Sequence, residues 1–303
     1  MKKTKLCLLG GGHGLSTVLL AMKEYSYLSA IVAVTDSGGS TGKIRNKFDC
    51  PAIGDIRRCL NSLADKQLKD IFERRIKDYG DCVGNLIIAS LIKLYDFPTA
   101  IKIMHKLLGL SDNHRVLPVS LDNFDICGEY KNNKIIKKET DFNNIEKIEK
   151  VWLEPVPSAN PEALESIIDA DYIIIAPGSF FTSILANFLV PEICKEINKK
   201  KIIWIANAMQ QFGETVGMDI NDHANHLLKY INHIDFAIVN NIKPDEEILS
   251  KHYESYLMPL YGLNNNFNIE NIVETDMIKY NENGIVHSPF KINKALRKII
   301  DNK

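Results

Sequence analysis

At 303 residues the chain is long enough to bury a sizeable core, and 45% hydrophobic with 25% charged residues is an ordinary globular composition. Lys and Arg number 37 against 38 Asp and Glu, a formal net charge of −1, so no strong field draws the chain onto nucleic acid or an anionic membrane. No apolar run approaches the ~20 residues of a membrane span. Lys2-Lys3 precedes only a short strand, without a secretory h-region or cleavage site, so a cytoplasmic location is expected.

The first predicted element is the strand Lys5–Leu9, which ends in Gly10-Gly11-Gly12-His13-Gly14 and runs into the helical stretch Leu15–Lys23. Strand, glycine-dense turn and helix bring backbone N–H groups against a phosphate, because glycine permits positive φ and removes the Cβ that would block a ligand. It is not a dinucleotide fingerprint. Leu15 or Thr17 stands where the third glycine of G-x-G-x-x-G belongs, depending on the starting glycine.

A second strand, Ala30–Thr35, ends in Asp36-Ser37-Gly38-Gly39-Ser40-Thr41-Gly42. Ile44 follows Gly42-Lys43 and no glycine lies five positions before Gly42, which excludes a Walker A loop. Asp36 falls where an acid would meet a ribose hydroxyl, or hold Mg²⁺ beside phosphates as hard carboxylate oxygens do. Asp55 has two readings, a second Mg²⁺ or diphosphate contact and an N-cap ahead of Ile56–Leu63. Arg57 and Arg58 offer fork-shaped donors for a diphosphate.

From Ile56 to Leu108 the pattern is helical, with Leu68, Ile71, Phe72, Ile76 and Tyr79 on one face and Pro98 in the first turn of Thr99–Leu108. Asn85 opens the apolar helix Leu86–Leu94, either as a cap or with its amide toward a ligand. Residues 115–151 break the rhythm as a small β excursion, with strands at Val116–Leu121 and Asp125–Tyr130, a turn at Asn132-Asn133 and a polar Lys138–Lys150 segment. Further strands are expected at Tyr172–Ala176, Ile202–Ala206 and Phe236–Asn240, and a surface loop at Asn264–Asn268.

The apolar strands read as continuous runs, as strands covered on both faces should. The expected fold class is therefore α/β: one Rossmann-like domain over 1–303, a mostly parallel sheet flanked by helices, with the excursion inside it. Each strand ends in polar or glycine residues, including Pro177-Gly178-Ser179, Thr182-Ser183, Asn207–Gln211 and Asn240-Asn241. In a parallel sheet such loops converge on one edge, where α/β proteins bind ligands.

The six cysteines are scattered without a C-x-x-C pair, which argues against a disulfide framework and a zinc knuckle. His223 and His226 have a metal-ligand spacing, but without a second ligand pair a solvated helix face is the expectation.

Taken in order, these motifs resemble the YvcK-like proteins, called gluconeogenesis factors, of the superfamily that includes the 2-phospho-L-lactate transferase CofD. The resemblance covers nearly the whole chain. It runs from the glycine turn through Asp36 with Gly38-Gly39-Ser40, Gly54-Asp55-Ile56-Arg57, Gly84-Asn85-Leu86, Leu117-Pro118-Val119, Pro177-Gly178-Ser179, Thr182-Ser183-Ile184 and Val190-Pro191 to Asn207 with Gly213-Glu214-Thr215. It implies a nucleotide-sugar ligand, uridine diphosphate N-acetylglucosamine, and a regulatory tie to cell-wall synthesis and cell shape on gluconeogenic carbon.

Carried over residue by residue, the resemblance implicates Gly12, Gly14, Asp36, Asp55, Asn85, Gly178, Ser179, Thr182 and Asn207. Gly10, Gly11, His13, Gly38, Gly39, Ser40 and Arg57 complete the expected ligand set, and Asp36 and Asp55 are the expected Mg²⁺ ligands. Two residues depart from the family pattern: His13 replaces a threonine, and Ser37 replaces the second acid that the transferase branch uses. That loss favours binding over catalysis, with Asp36, Asp55 and His13 as catalytic candidates if turnover occurs. The alternatives are a CofD-like Mg²⁺-dependent transferase with a nucleotide diphosphate donor and, more remotely, an NAD-dependent oxidoreductase. No tightly bound organic cofactor is expected. Regulators of cell-wall synthesis are the expected protein partners, and a homodimer is left open.

Overall fold

The computed structural model describes residues 3–76, 81–131, 133–145, 148–251, 258–262, 269–281 and 284–301. Tyr79, Asn132 and the Asn264–Asn268 loop of the sequence reading lie outside them. The strands are β1 (Lys5–Gly10), β2 (Tyr27–Val32), β3 (Arg75–Ile76), β4 (Asp81–Cys82), β5 (His114–Pro118), β6 (Asp125–Tyr130) and β7 (Lys134–Lys137). They continue with β8 (Ile148–Glu154), β9 (Tyr172–Ile175), β10 (Lys201–Ile205), β11 (Ile234–Asn240), β12 (Ile269–Thr275), β13 (Ile278–Asn281) and β14 (Gly284–His287). Seven of them form one parallel sheet in the order β12-β11-β10-β9-β1-β2-β5.

The chain builds outward from β1 in both directions. β2 and β5 follow on one side, and β9 to β12 on the other, so β1 and β9 are neighbours although the paired residues Leu9 and Ile175 are 166 positions apart in sequence. The strand order reverses there, which opens a crevice beyond the carboxyl ends of the two strands. Helices α1 (Gly12–Met22), α2 (Gly39–Phe48), α3 (Gly54–Leu63), α4 (Lys66–Glu73), α5 (Val83–Leu94) and α6 (Phe97–Leu107) occupy the first half of the chain.

The central strands are apolar because helices cover both of their faces. Every residue of β9, Tyr172-Ile173-Ile174-Ile175, is buried, as are Leu6 to Leu9 of β1. Pro98 falls in the first turn of α6, where its missing N–H costs little, and Asp96 caps that helix by accepting from Thr99 N at 2.8 Å.

The excursion has different bounds from those read in the sequence. Its first expected strand, Val116–Leu121, contributes Val116, Leu117 and Pro118 to β5, an edge of the main sheet parallel to β2. The excursion proper is the antiparallel sheet β7-β6-β8, from Asp125 to Glu154, with a 3₁₀ turn at Glu139–Asn144. The apolar face expected over Leu68–Tyr79 is also shorter. α4 ends at Glu73, Ile76 sits in β3, Ile71 is exposed, and Phe72 is the buried residue of the helix.

Candidate functional site

A cleft of about 490 Å³ opens at the carboxyl ends of β1, β2, β9 and β10. Its floor is the glycine turn, Gly11 to Gly14. Gly12 opens α1 with φ +57°, a conformation that glycine adopts without the Cβ penalty. Gly14 has a second reason to be glycine: a Cβ there would lie 1.7 Å from the Pro177 carbonyl oxygen. The loop after β9 is thus pressed directly against the start of α1. The N-cap Gly11 has no side chain to offer and the first turn of α1 holds no acid of its own, but Asp55 of the helix α3 accepts from the Gly12 backbone, so a carboxylate already meets the positive end of α1 where it borders the cleft.

Two polar clamps shape the opposite wall. Asn207, just past β10, accepts from Gly178 N at 3.1 Å and donates Nδ2–H to Gly178 O at 2.8 Å. Glu214 is fully buried and accepts from Phe181 N at 2.8 Å, from Thr182 N at 3.4 Å and from Thr182 Oγ1 at 2.7 Å. It thereby serves the free donors at the start of Phe180–Leu185, a π-helical turn, and burial pushes its carboxyl up from the ordinary value. Thr35 Oγ1 donates to Thr182 O at 2.6 Å and ties this turn to the end of β2.

The acids gather on the β2 side. Asp36 Oδ1 accepts from Gly38 N at 2.8 Å, so the Gly38-Gly39 loop orients the carboxylate rather than the ligand. Asp55 lies in the first turn of α3, whose N-cap position is Ile53, so the capping role read from sequence is corrected. Its carboxylate pairs with Arg58 Nη1 at 2.7 Å, and burial, opposed by Arg58 and reinforced by Asp36, raises it to about 6.

Glu139, from the 3₁₀ turn of the antiparallel sheet, also lines the cleft. Thr140 N donates to Ser37 Oγ at 3.2 Å and docks that turn on the loop after β2. Burial first, then the charges of Asp36 and Glu214, raises Glu139 to about 7. His13 keeps part of its ring exposed. The protein packed around the rest, followed by the charges of Arg58, Arg57 and Lys69, lowers it to about 4, so at neutral pH it is an uncharged, weak base.

Of the expected set, the cleft brings together Gly11, Gly12, His13, Gly14, Asp36, Asp55, Gly178, Ser179, Thr182 and Asn207. The others do not line it. Gly10 accepts from Ala33 N and from Asn187 Nδ2 through its carbonyl. Asn85 lies in the first turn of α5, after the N-cap Cys82, and donates Nδ2–H to Ser40 Oγ at 3.1 Å, which joins α5 to α2. Arg57 is buried with Nη1 on Cys82 Sγ at 2.9 Å, and its neighbour Arg58 is the arginine that reaches the cleft.

Sequence reasoning offered Arg57 and Arg58 alike but placed Arg57 in the ligand set, and it missed Glu139 and the far wall of Ile285, Val286 and His287 on β14. His287 Nε2 faces the Ala206 carbonyl at 3.2 Å, and burial lowers it to about 4, so it is a neutral donor there. A carbonyl accepts only, which assigns the ring proton to Nε2.

The histidine pair of residues 223 and 226 is neither a metal site nor a solvated face. His223 is buried, its Nδ1 bonds the Asp219 carbonyl at 2.7 Å, and its ring meets Phe180 edge-on at 4.4 Å, while His226 meets Phe181 at 5.4 Å. Among the described residues no group of three or more His, Cys, Asp or Glu is arranged to hold a metal ion, and no helix is long and apolar enough to cross a membrane. All six cysteines are free.

Comparison with known proteins gives a consistent picture. Residues 6–282 match the family described as 2-phospho-L-lactate transferase CofD. A relative from Aquifex aeolicus is 35% identical across all of this chain and 98% of its own length. The gluconeogenesis factor of Bacillus subtilis is 32% identical, over 97% of this chain and 98% of that protein. The crystal structure of a UPF0052 family member from Bacillus halodurans superposes with a TM-score of 0.91 at 30% identity, covering 98% of this chain and 99% of the other.

Proposed function

This chain belongs to the CofD family, among its gluconeogenesis factors, and from that premise we propose that its cleft binds a nucleotide diphosphate sugar of the uridine diphosphate N-acetylglucosamine class. It does so as a cytoplasmic regulatory sensor acting on cell-wall synthesis and cell shape during growth on gluconeogenic carbon. The observation that carries this reading is the glycine turn that opens α1 at the strand-order reversal, which brings the positive dipole end of a helix to the cleft with no blocking Cβ atoms. A volume of about 490 Å³ suits a ligand of nucleotide-sugar size. The diphosphate lies on the glycine turn. Met209 and Ile285 supply apolar wall.

Calorimetry with a panel of uridine diphosphate sugars tests the reading. A ligand at 100 times its Kd stabilises the fold by about 2.7 kcal/mol, which a thermal shift also registers. Silence from every uridine diphosphate sugar at high-micromolar protein would end it, and a preference for NAD would promote the oxidoreductase alternative.

A CofD-like transferase is the second reading, favoured by Asp55 at about 6 and Glu139 at about 7, values suited to proton transfer near neutral pH. Mg²⁺ is bound through one or two carboxylates together with phosphate oxygens and water, and Asp36 and Asp55 fit that donor pattern. Bound there, the ion would neutralise charge on the diphosphate. Glu139 would take a proton from an acceptor hydroxyl, while Arg58 stays on Asp55 and the glycine turn holds the donor phosphates. Incubation with a nucleotide sugar, Mg²⁺ and a cell extract as acceptor source, followed by chromatography of free nucleotide, separates the readings. Turnover that vanishes in Asp36→Asn establishes the transferase, and an unconsumed ligand leaves the sensor.

A further inference from the structure

Beside the glycine turn, on the outer side of α1, lies an open pocket of about 330 Å³ lined by α1, α3, α4 and β3. Its lining carries four cations, Arg57, Arg58, Lys69 and Arg75, against one carboxylate, Glu73. Arg58 already has Asp55 as its partner. Lys69 and Arg75 form no ion pair among the described residues, and neither does Arg57.

Arg57 is the informative member. The residue is 6% exposed, its Nη1 meets only the Cys82 sulfur, and its Nε has no hydrogen-bond partner. A buried guanidinium without a carboxylate is costly unless an anion completes it. The hydroxyls nearby are uncharged and do not provide that anion: Ser16 and Thr17 donate to the His13 carbonyl and Ser62 to the Cys59 carbonyl.

We infer that this pocket is an anion subsite for a small phosphate-bearing metabolite, held by Arg57, Lys69 and Arg75 and sharing Arg58, His13 and Thr17 with the nucleotide cleft. The count of unpaired cations asks for a doubly charged oxyanion rather than a single carboxylate. Guanidinium groups also match phosphate oxygens in paired, charge-assisted bonds. The site lies next to the proposed diphosphate position but does not depend on it, because Arg57, Lys69 and Arg75 are absent from the lining of the cleft.

The test is a calorimetric titration of inorganic phosphate into the full chain at constant ionic strength. Three proteins are compared: the unaltered chain, a Lys69→Gln/Arg75→Gln double variant and Gln211→Ala. Lys69 and Arg75 keep solvent contact, so their replacement should leave the melting temperature in place, and Gln211 lines only the cleft. Phosphate affinity should fall by about tenfold or more in the double variant and stay unchanged in Gln211→Ala. No phosphate binding at millimolar concentration overturns the inference, as does binding that survives the double change or is lost in Gln211→Ala instead. Binding of uridine diphosphate sugar to the same three proteins is read separately, so the two proposals fail independently.

Discussion

Glu214 grips Thr182 through both carboxylate oxygens: the hydroxyl donates to Oε1 at 2.7 Å and the backbone N–H to Oε2 at 3.4 Å. Residues 32 positions apart are joined in a fully buried contact that also satisfies Phe181 N. Glu214→Ala should strand these donors at about 1–3 kcal/mol each, lowering the melting temperature by several degrees and weakening nucleotide-sugar binding. Glu214→Gln keeps an acceptor and should lose less. Melting curves of the two variants check the order, and equal, sub-degree shifts would show that the contact does not hold the turn.

The close approach at Gly14 makes a sharper forecast. A methyl group there meets Pro177 O at 1.7 Å, so Gly14→Ala must push the β9 loop off α1. A loss of about 1–3 kcal/mol or more, together with loss of ligand heat, is expected. Gly39→Ala is the contrast. With φ +48° and nothing within 4 Å, it should cost only the local conformational strain, about 1 kcal/mol, and leave ligand affinity intact. Paired unfolding and binding measurements decide.

Asp36 faces the cleft with its Oδ1 already oriented by Gly38 N. Asp36→Asn keeps that acceptor and should leave stability within about 0.5 kcal/mol, as expected away from buried ion pairs. Any Mg²⁺ dependence of nucleotide-sugar affinity should disappear. Calorimetry with Mg²⁺ and with a chelator is the measurement, and an undiminished Mg²⁺ effect would remove Asp36 from the metal's reach.

The two raised acids define a pH dependence. Glu139 moves from 4.5 to about 7 and Asp55 from 3.8 to about 6, each chiefly by burial. Between those values the folded chain holds more protons than the unfolded chain, so stability declines as pH rises from about 4 to about 7. Glu139→Gln should flatten the upper part of that decline and raise the melting temperature at pH 8 by about 1–3 °C. Melts from pH 5 to pH 8 would show it. A variant with an unchanged slope would mean that Glu139 does not carry it.

The sequence by itself determined most of the central sheet and the sheet edge on which the cleft opens. β1, β9, β10 and β11 are legible because strands buried on both faces must be apolar along their length, and the glycine turn is legible because a close backbone approach leaves few other residues possible. β2 runs over Tyr27–Val32 and not the expected Ala30–Thr35, because its first half carries the partly buried Tyr27 and Ser29 and does not read as an apolar run. The edges were not legible. β12, Ile269–Thr275, is partly exposed along most of its length, and β5 is five residues that read equally well as the start of the excursion. An edge strand needs burial on only some of its positions, so its pattern is weak.

Side-chain direction is what only the tertiary structure decided. Arg57 and Arg58 are neighbours in sequence, yet the turn of α3 sends one to Cys82 and the other to Asp55. Asn85 faces Ser40 because α5 packs on α2, and Glu139 and His287 reach the cleft from an antiparallel sheet and a hairpin far along the chain. Backbone conformation follows from neighbouring residues, whereas the company a side chain keeps depends on which elements the sheet order and helix packing bring alongside it.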